Sequence, residues 1–103
     1  PSPLMSRHRV YCHAFVSATR VERNVIVAWD DDSPACVEVE PFTRETAGTT
    51  ALNGIILHIP DDCSLTAETT RATIDISNLA PGLDRIKSMI PPAPPTRLLM
   101  IEF

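Results

Sequence analysis

Apolar side chains recur at every second residue along much of this chain, in short runs that are each closed by proline, glycine or clustered aspartate. A period of two puts one set of side chains on a single face of an extended backbone, so the pattern predicts strands. Residues 10–16 place Val10, Cys12, Ala14 and Val16 on one face and Tyr11, His13 and Phe15 on the other. With both faces apolar, this strand belongs inside a sheet rather than at its rim. Residues 25–29 (VIVAW) form a second strand, rich in β-branched side chains. Asp30-Asp31-Asp32-Ser33-Pro34 is turn chemistry, and residues 36–40 alternate again beyond it, so the two runs predict a hairpin. Pro41 has no N–H to give to a ladder and ends that strand or holds it at an edge.

Residues 43–50 read as a polar loop. Residues 52–59 are the next strand, with Ile55, Leu57 and Ile59 on one face and Asn53-Gly54 as a bulge or tight bend near its start. The alternation of Ala72, Ile74 and Ile76 predicts a short strand over 72–76. Residues 98–103 predict a last one, with Leu99, Ile101 and Phe103 on one face and Leu98 and Met100 on the other. So apolar a strand must pair within a sheet, since left loose it is an aggregation site. A single helix is expected: Leu79, Leu83, Ile86 and Ile90 make a stripe at helical spacing. Pro81 sits near its start and Pro91-Pro92 stop it. Residues 91–96 (PPAPPT) are then a stiff connector. The fold class expected is mainly β, a small β-sandwich or partly open barrel of about six strands with one short helix near the C-terminus. Residues 5–103 make one domain, and residues 1–4 are set aside as a vector-derived remnant.

Composition narrows the function classes. Apolar residues are 44% of the chain and charged ones 21%, which places it among folded domains rather than disordered segments. The net charge is −4, and Arg7, Arg9, Arg20 and Arg23 are dispersed among apolar positions. Nucleic-acid binding needs a concentrated basic patch, so neither nucleic acid nor a membrane is an expected partner. Three cysteines, Cys12, Cys36 and Cys63, fit free thiols better than a disulfide framework. With no signal-peptide pattern, the expected location is cytoplasmic.

The side chains that carry chemistry are few. Cys12, His13, His58 and Cys63 are the candidate metal or small-ligand set, yet they lack the close pairs of a zinc site, and the adjacent Cys12 and His13 point to opposite faces of a strand. Cys12 or Cys36 beside His58 would be the minimal nucleophile and base pair. Asp30-Asp31-Asp32 and Asp61-Asp62 lack the ligand order of a calcium loop and read as solvated turns. Glu38 and Glu40 on one strand face read as solvent-exposed. No glycine-rich phosphate loop occurs, and no cofactor is expected.

Residues 25–32 (VIVAWDDD), followed by residues 36–60 (CVEVEPFTRETAGTTALNGIILHIP), resemble the N-terminal β-domain of metal-dependent hydrolases of the amidohydrolase superfamily. The resemblance covers about residues 8–60, and Asn53 to Pro60 look like the piece that leads into that family's catalytic barrel. It implies a fold only. Pro60 is followed by Asp61-Asp62-Cys63-Ser64 instead of the family's metal-binding H-x-H pair, and the remaining residues are too few for a barrel. The function expected is therefore that of a non-catalytic β-domain, acting in protein interaction or self-association through an open sheet edge or the strand at 98–103. The alternatives are an accessory domain related to metal-dependent hydrolases and a Cys/His metal-binding domain.

Overall fold

A computed structural model describes residues 7–42 and 48–103. The elements run β1 (Arg7–Val16), β2 (Val21–Asp30), β3 (Val37–Pro41), β4 (Thr50–Ala51), β5 (Gly54–Ile59), α1 (Ala67–Thr73), α2 (Leu79–Met89) and β6 (Arg97–Glu102). The strands form one open mixed sheet in the order β3-β2-β1-β5-β6, with β4 also pairing β1. β1 runs parallel to β4 and β5, and its other pairing, with β2, is antiparallel. The expected mainly-β class is what the chain adopts, and β1 lies inside the sheet as its two apolar faces require. The hairpin of β2 and β3 pairs Val25 with Pro41 through Trp29 with Val37.

Both helices lie on one face. α2 buries Leu83 and Ile86, with Ile90 just past its end, and these meet Ala14, Val16, Ile55, Leu57, Ile59 and Ile101 of the sheet. Burying an aliphatic side chain of this size contributes about 1.5–3 kcal/mol. Gly82 sets how closely the helices approach, because a Cβ there would lie 3.0 Å from the Thr73 carbonyl oxygen and from the tip of Ile74. Gly54 is under a harder constraint: a Cβ would come within 1.8 Å of the Ile101 carbonyl oxygen, so only glycine fits at the start of β5.

The strand expected at 72–76 is not formed. Ala72 and Thr73 close α1, Ile74 is its buried C-cap, and Ile76 is 68% exposed. The helix wins because Thr66 and Thr69 form a reciprocal capping box, which satisfies backbone donors at the first turn. Thr70, fully buried, returns its hydroxyl to the Thr66 carbonyl oxygen at 2.8 Å. Beyond the helix, Asp75 accepts from the Ser77 backbone N–H and hydroxyl, which fixes a turn where a strand was expected.

A second correction concerns β1. Val10 and Cys12 pack with Phe15, Val25, Val27, Trp29 and Ile56 on the face away from the helices, whereas Ala14 and Val16 join the helical face. The alternation therefore switches faces between Cys12 and Ala14. Across the ladder β2 does the same, since Val25 faces one core and Val21 the other. The cause is Asn24, which sits opposite the step at φ 54, a conformation that asparagine tolerates better than other non-glycine residues. Because both strands step together, their pairing keeps its register, from Cys12↔Val25 to Ala14↔Arg23. On the other side of β1, Val10 is opposite Thr50 but Ala14 is opposite Ile55, so one extra residue is taken up between β4 and β5, where Asn53-Gly54 predicts a bulge. His13 donates from Nε2 to Asn53 Oδ1 at 3.0 Å, and the Tyr11 hydroxyl donates to Asn24 Oδ1 at 3.3 Å, so polar side chains tie this seam together.

Residues 1–6, with the expected remnant, and residues 43–47 of the expected polar loop lie outside the described residues. Among the described residues no helix is long and apolar enough to cross a membrane.

Candidate functional site

The four side chains singled out for metal or ligand chemistry occupy three environments. Cys12 is sealed in the core on the non-helical face, and burial pushes its thiol pKa up to about 12, so it holds its proton at neutral pH. His13 belongs to the polar seam with Asn53. Cys63 is buried in the helical-face core. His58 is buried on the opposite face of β5 and points toward the β2–β3 turn. The fold thus separates Cys12, His13, His58 and Cys63, and among the described residues no three His, Cys, Asp or Glu side chains assemble into a metal cage.

His58 instead holds the hairpin over the sheet. Its Nε2 donates to the Pro34 carbonyl oxygen at 3.0 Å, which fixes the neutral ring with Nδ1 as acceptor. Desolvation, then the nearby charge of Arg20, keeps its pKa below the ordinary value, against the opposing effect of the bond to Pro34. Tilted rings of Phe15 and His58 pack at 5.9 Å. The tip of the β2–β3 hairpin is thereby drawn across the non-helical face, which gives an open sheet a partial second wall.

The hairpin leaves the β6 side of that face bare. A groove of about 560 Å³ opens there, with Val10, Trp29, Leu52, Leu98 and Met100 on its apolar walls and His8, Asp31 and Arg97 at its polar margin. Met100 is 50% exposed. β6 pairs only with β5, from Gly54↔Glu102 to Ile59↔Arg97, so its other side is a rim. The Phe103 N–H donates to the Asn53 carbonyl oxygen at 2.9 Å, which sets the phase of the ladder. By the alternation of antiparallel pairing, the backbone N–H and C=O groups of Leu98, Met100 and Glu102 then point away from β5. The strand has charge only at its ends, in Arg97 and Glu102, and Arg97 turns back to donate to the Cys63 carbonyl oxygen at 3.2 Å. Four successive apolar residues, Leu98 to Ile101, are left on an unpaired rim beside an apolar groove.

The sequence reading anticipates the apolar last strand but not its groove. Groove walls come from β1, β2, β6 and the β4–β5 joint, and no local pattern reports that convergence. It also misses the pairing of Arg7 with Glu38 and of Arg9 with Glu40, the latter at 3.0 Å. These arginines reach across β2 over Ala28 and Ile26, whose burial between them follows from the aliphatic stems. Glu38 and Glu40 are exposed as expected, but each has a cationic partner. Residues 53–60, which carry the resemblance to a hydrolase β-domain, form β5 and its exit, and His58 there serves the hairpin. Comparison with family models, with curated proteins and with solved structures yields no match.

Proposed function

We propose that this protein is a non-catalytic interaction module that works by strand pairing at β6, with a second copy of the same chain as its partner. The observation that carries the reading is the uncharged rim of Leu98 to Ile101, with outward-directed backbone groups and a half-exposed Met100 beside the groove. Unpaired edges of this kind are templates for another strand, and strand addition supplies main-chain hydrogen bonds that need no particular partner sequence. A two-fold axis normal to the sheet keeps the grooves of two copies on one face, so that two β6 strands join antiparallel and the Met100 side chains close over adjoining apolar walls. Such an isologous contact is the commonest route to a homodimer.

Analytical ultracentrifugation of the whole chain over a wide concentration range is the test. A reversible dimer is expected, and Met100→Lys should weaken it about tenfold or more by placing a charge at the centre of the contact. A chain that stays monomeric at every concentration, or a dimer indifferent to Met100→Lys, would overturn the proposal.

A further inference from the structure

A second concavity, away from the β6 rim, lies past the carboxyl ends of β1 and β5. These strands are parallel, so the chain leaves both at the same end of the sheet, the position at which open sheets carrying parallel strands characteristically take ligands. The cleft measures about 830 Å³, within the range of small-molecule sites. Its walls are the β1–β2 turn, the tip of the β2–β3 hairpin around Cys36, and the proline segment from Pro92 to Pro95. Phe15, Ser17 and His58 are the buried side chains at its base.

Charge distinguishes this cleft from the rest of the molecule. The chain carries a net charge of −4, yet no aspartate or glutamate lines the cleft, and Arg20 is its single lining residue with a formal charge. The Arg20 guanidinium lies 5.3 Å from the centre of the Phe15 ring, and its side chain is 48% exposed. Glu22 approaches it from one side, with Oε2 2.8 Å from Nη1, in an ion pair that lacks hydrogen-bond alignment. A guanidinium has five N–H donors, so one such neighbour leaves donors for a ligand. The two walls around it are of different character: prolines, Ala35 and Ile90 offer apolar surface, while Ser17, Thr19 and His58 offer hydroxyls and a ring nitrogen.

We infer that this cleft is a binding site for a small aromatic carboxylate, whose ring rests against Phe15 and the proline wall while its carboxylate meets Arg20. The inference is independent of self-association through β6, because it uses neither that strand nor its groove. The hairpin held by His58 forms one wall, so the bond to the Pro34 carbonyl oxygen preserves the shape of the site.

The test is a titration of isotope-labelled whole protein with 2-naphthoate, and separately with the neutral 2-naphthamide, followed by amide chemical shifts. Saturable shifts are expected in the β1–β2 turn and the hairpin tip, with 2-naphthoate bound more tightly than 2-naphthamide. Arg20→Gln, at a half-exposed position, should weaken 2-naphthoate by about tenfold or more and leave 2-naphthamide unchanged, as loss of a charge-assisted hydrogen bond requires. Equal binding of the two probes, shifts confined to the β6 groove, or no saturable shift with folded protein would each overturn the assignment.

Discussion

β3 and β6 are the two rims of one sheet, similar in length and opposite in how they face an unpaired neighbour. β3 ends in Pro41, and its exposed positions are Glu38 and Glu40, held by Arg7 and Arg9 from the strand beyond its neighbour. Charge and proline on a short strand are the usual protection against edge-to-edge pairing. β6 has four apolar residues in succession, and its one basic side chain is turned toward Cys63. The two rims also differ in what lies beneath them. β6 abuts β5, every residue of which is buried, whereas the inward side chains of β3, Val37 and Val39, are only partly covered. The difference teaches that an edge strand can belong to the core on one side and remain available for pairing on the other.

Removing one rim strand is the harshest way to break this comparison. Deletion of residues 98–103 uncovers β5 and takes away Ile101, so the expected product is insoluble or unfolded. Solubility and circular dichroism report the outcome, and a soluble folded truncation would make β6 as peripheral as β3. A gentler contrast uses single truncations of side chains. Ile101→Ala should cost about 2–5 kcal/mol, because a fully buried isoleucine leaves a cavity. Val39→Ala, at a half-covered position on β3, should cost about 1 kcal/mol or less. Denaturant unfolding measures both, and equal losses would erase the asymmetry.

The smallest expected effect concerns the anchor of the β3 hairpin. His58 has a folded pKa below its ordinary value of 6.5, so between the two values the unfolded chain binds a proton that the folded chain does not. Its contribution to stability is therefore complete above the ordinary value and is lost as pH falls toward the folded one. Urea midpoints should decline from about pH 7.5 to about pH 5.5, and His58→Gln should flatten that decline. Parallel curves for the two proteins would show that His58 does not carry the effect.

Much of this architecture is legible in the residues themselves. The β2–β3 hairpin follows from two apolar runs around Asp30 to Pro34, and α2 follows from Leu79, Leu83, Ile86 and Ile90 with prolines at both ends. The failures have identifiable causes. Ala72, Ile74 and Ile76 alternate by coincidence, and the competing signal was Thr66, whose cap starts a helix six residues earlier. The shared face expected for Val10 through Val16 fails because the step is enforced by Asn24 on another strand, and single-strand periodicity carries no information about a neighbour's φ. The apolar rim at β6 was visible in the run Leu98 to Ile101. The cleft around Arg20 was not, because its walls come from four stretches far apart in the chain.

The step at Asn24 has a thermodynamic consequence. β1 and β2 each send side chains into both cores, so neither core can melt while the strands that build the other stay intact. Loss of the helical layer would strip Ala14 and Val16 from the same backbone that holds Val10 and Cys12 in place. The molecule is therefore wired for all-or-none unfolding, with no stable half in which a bare sheet survives its helices.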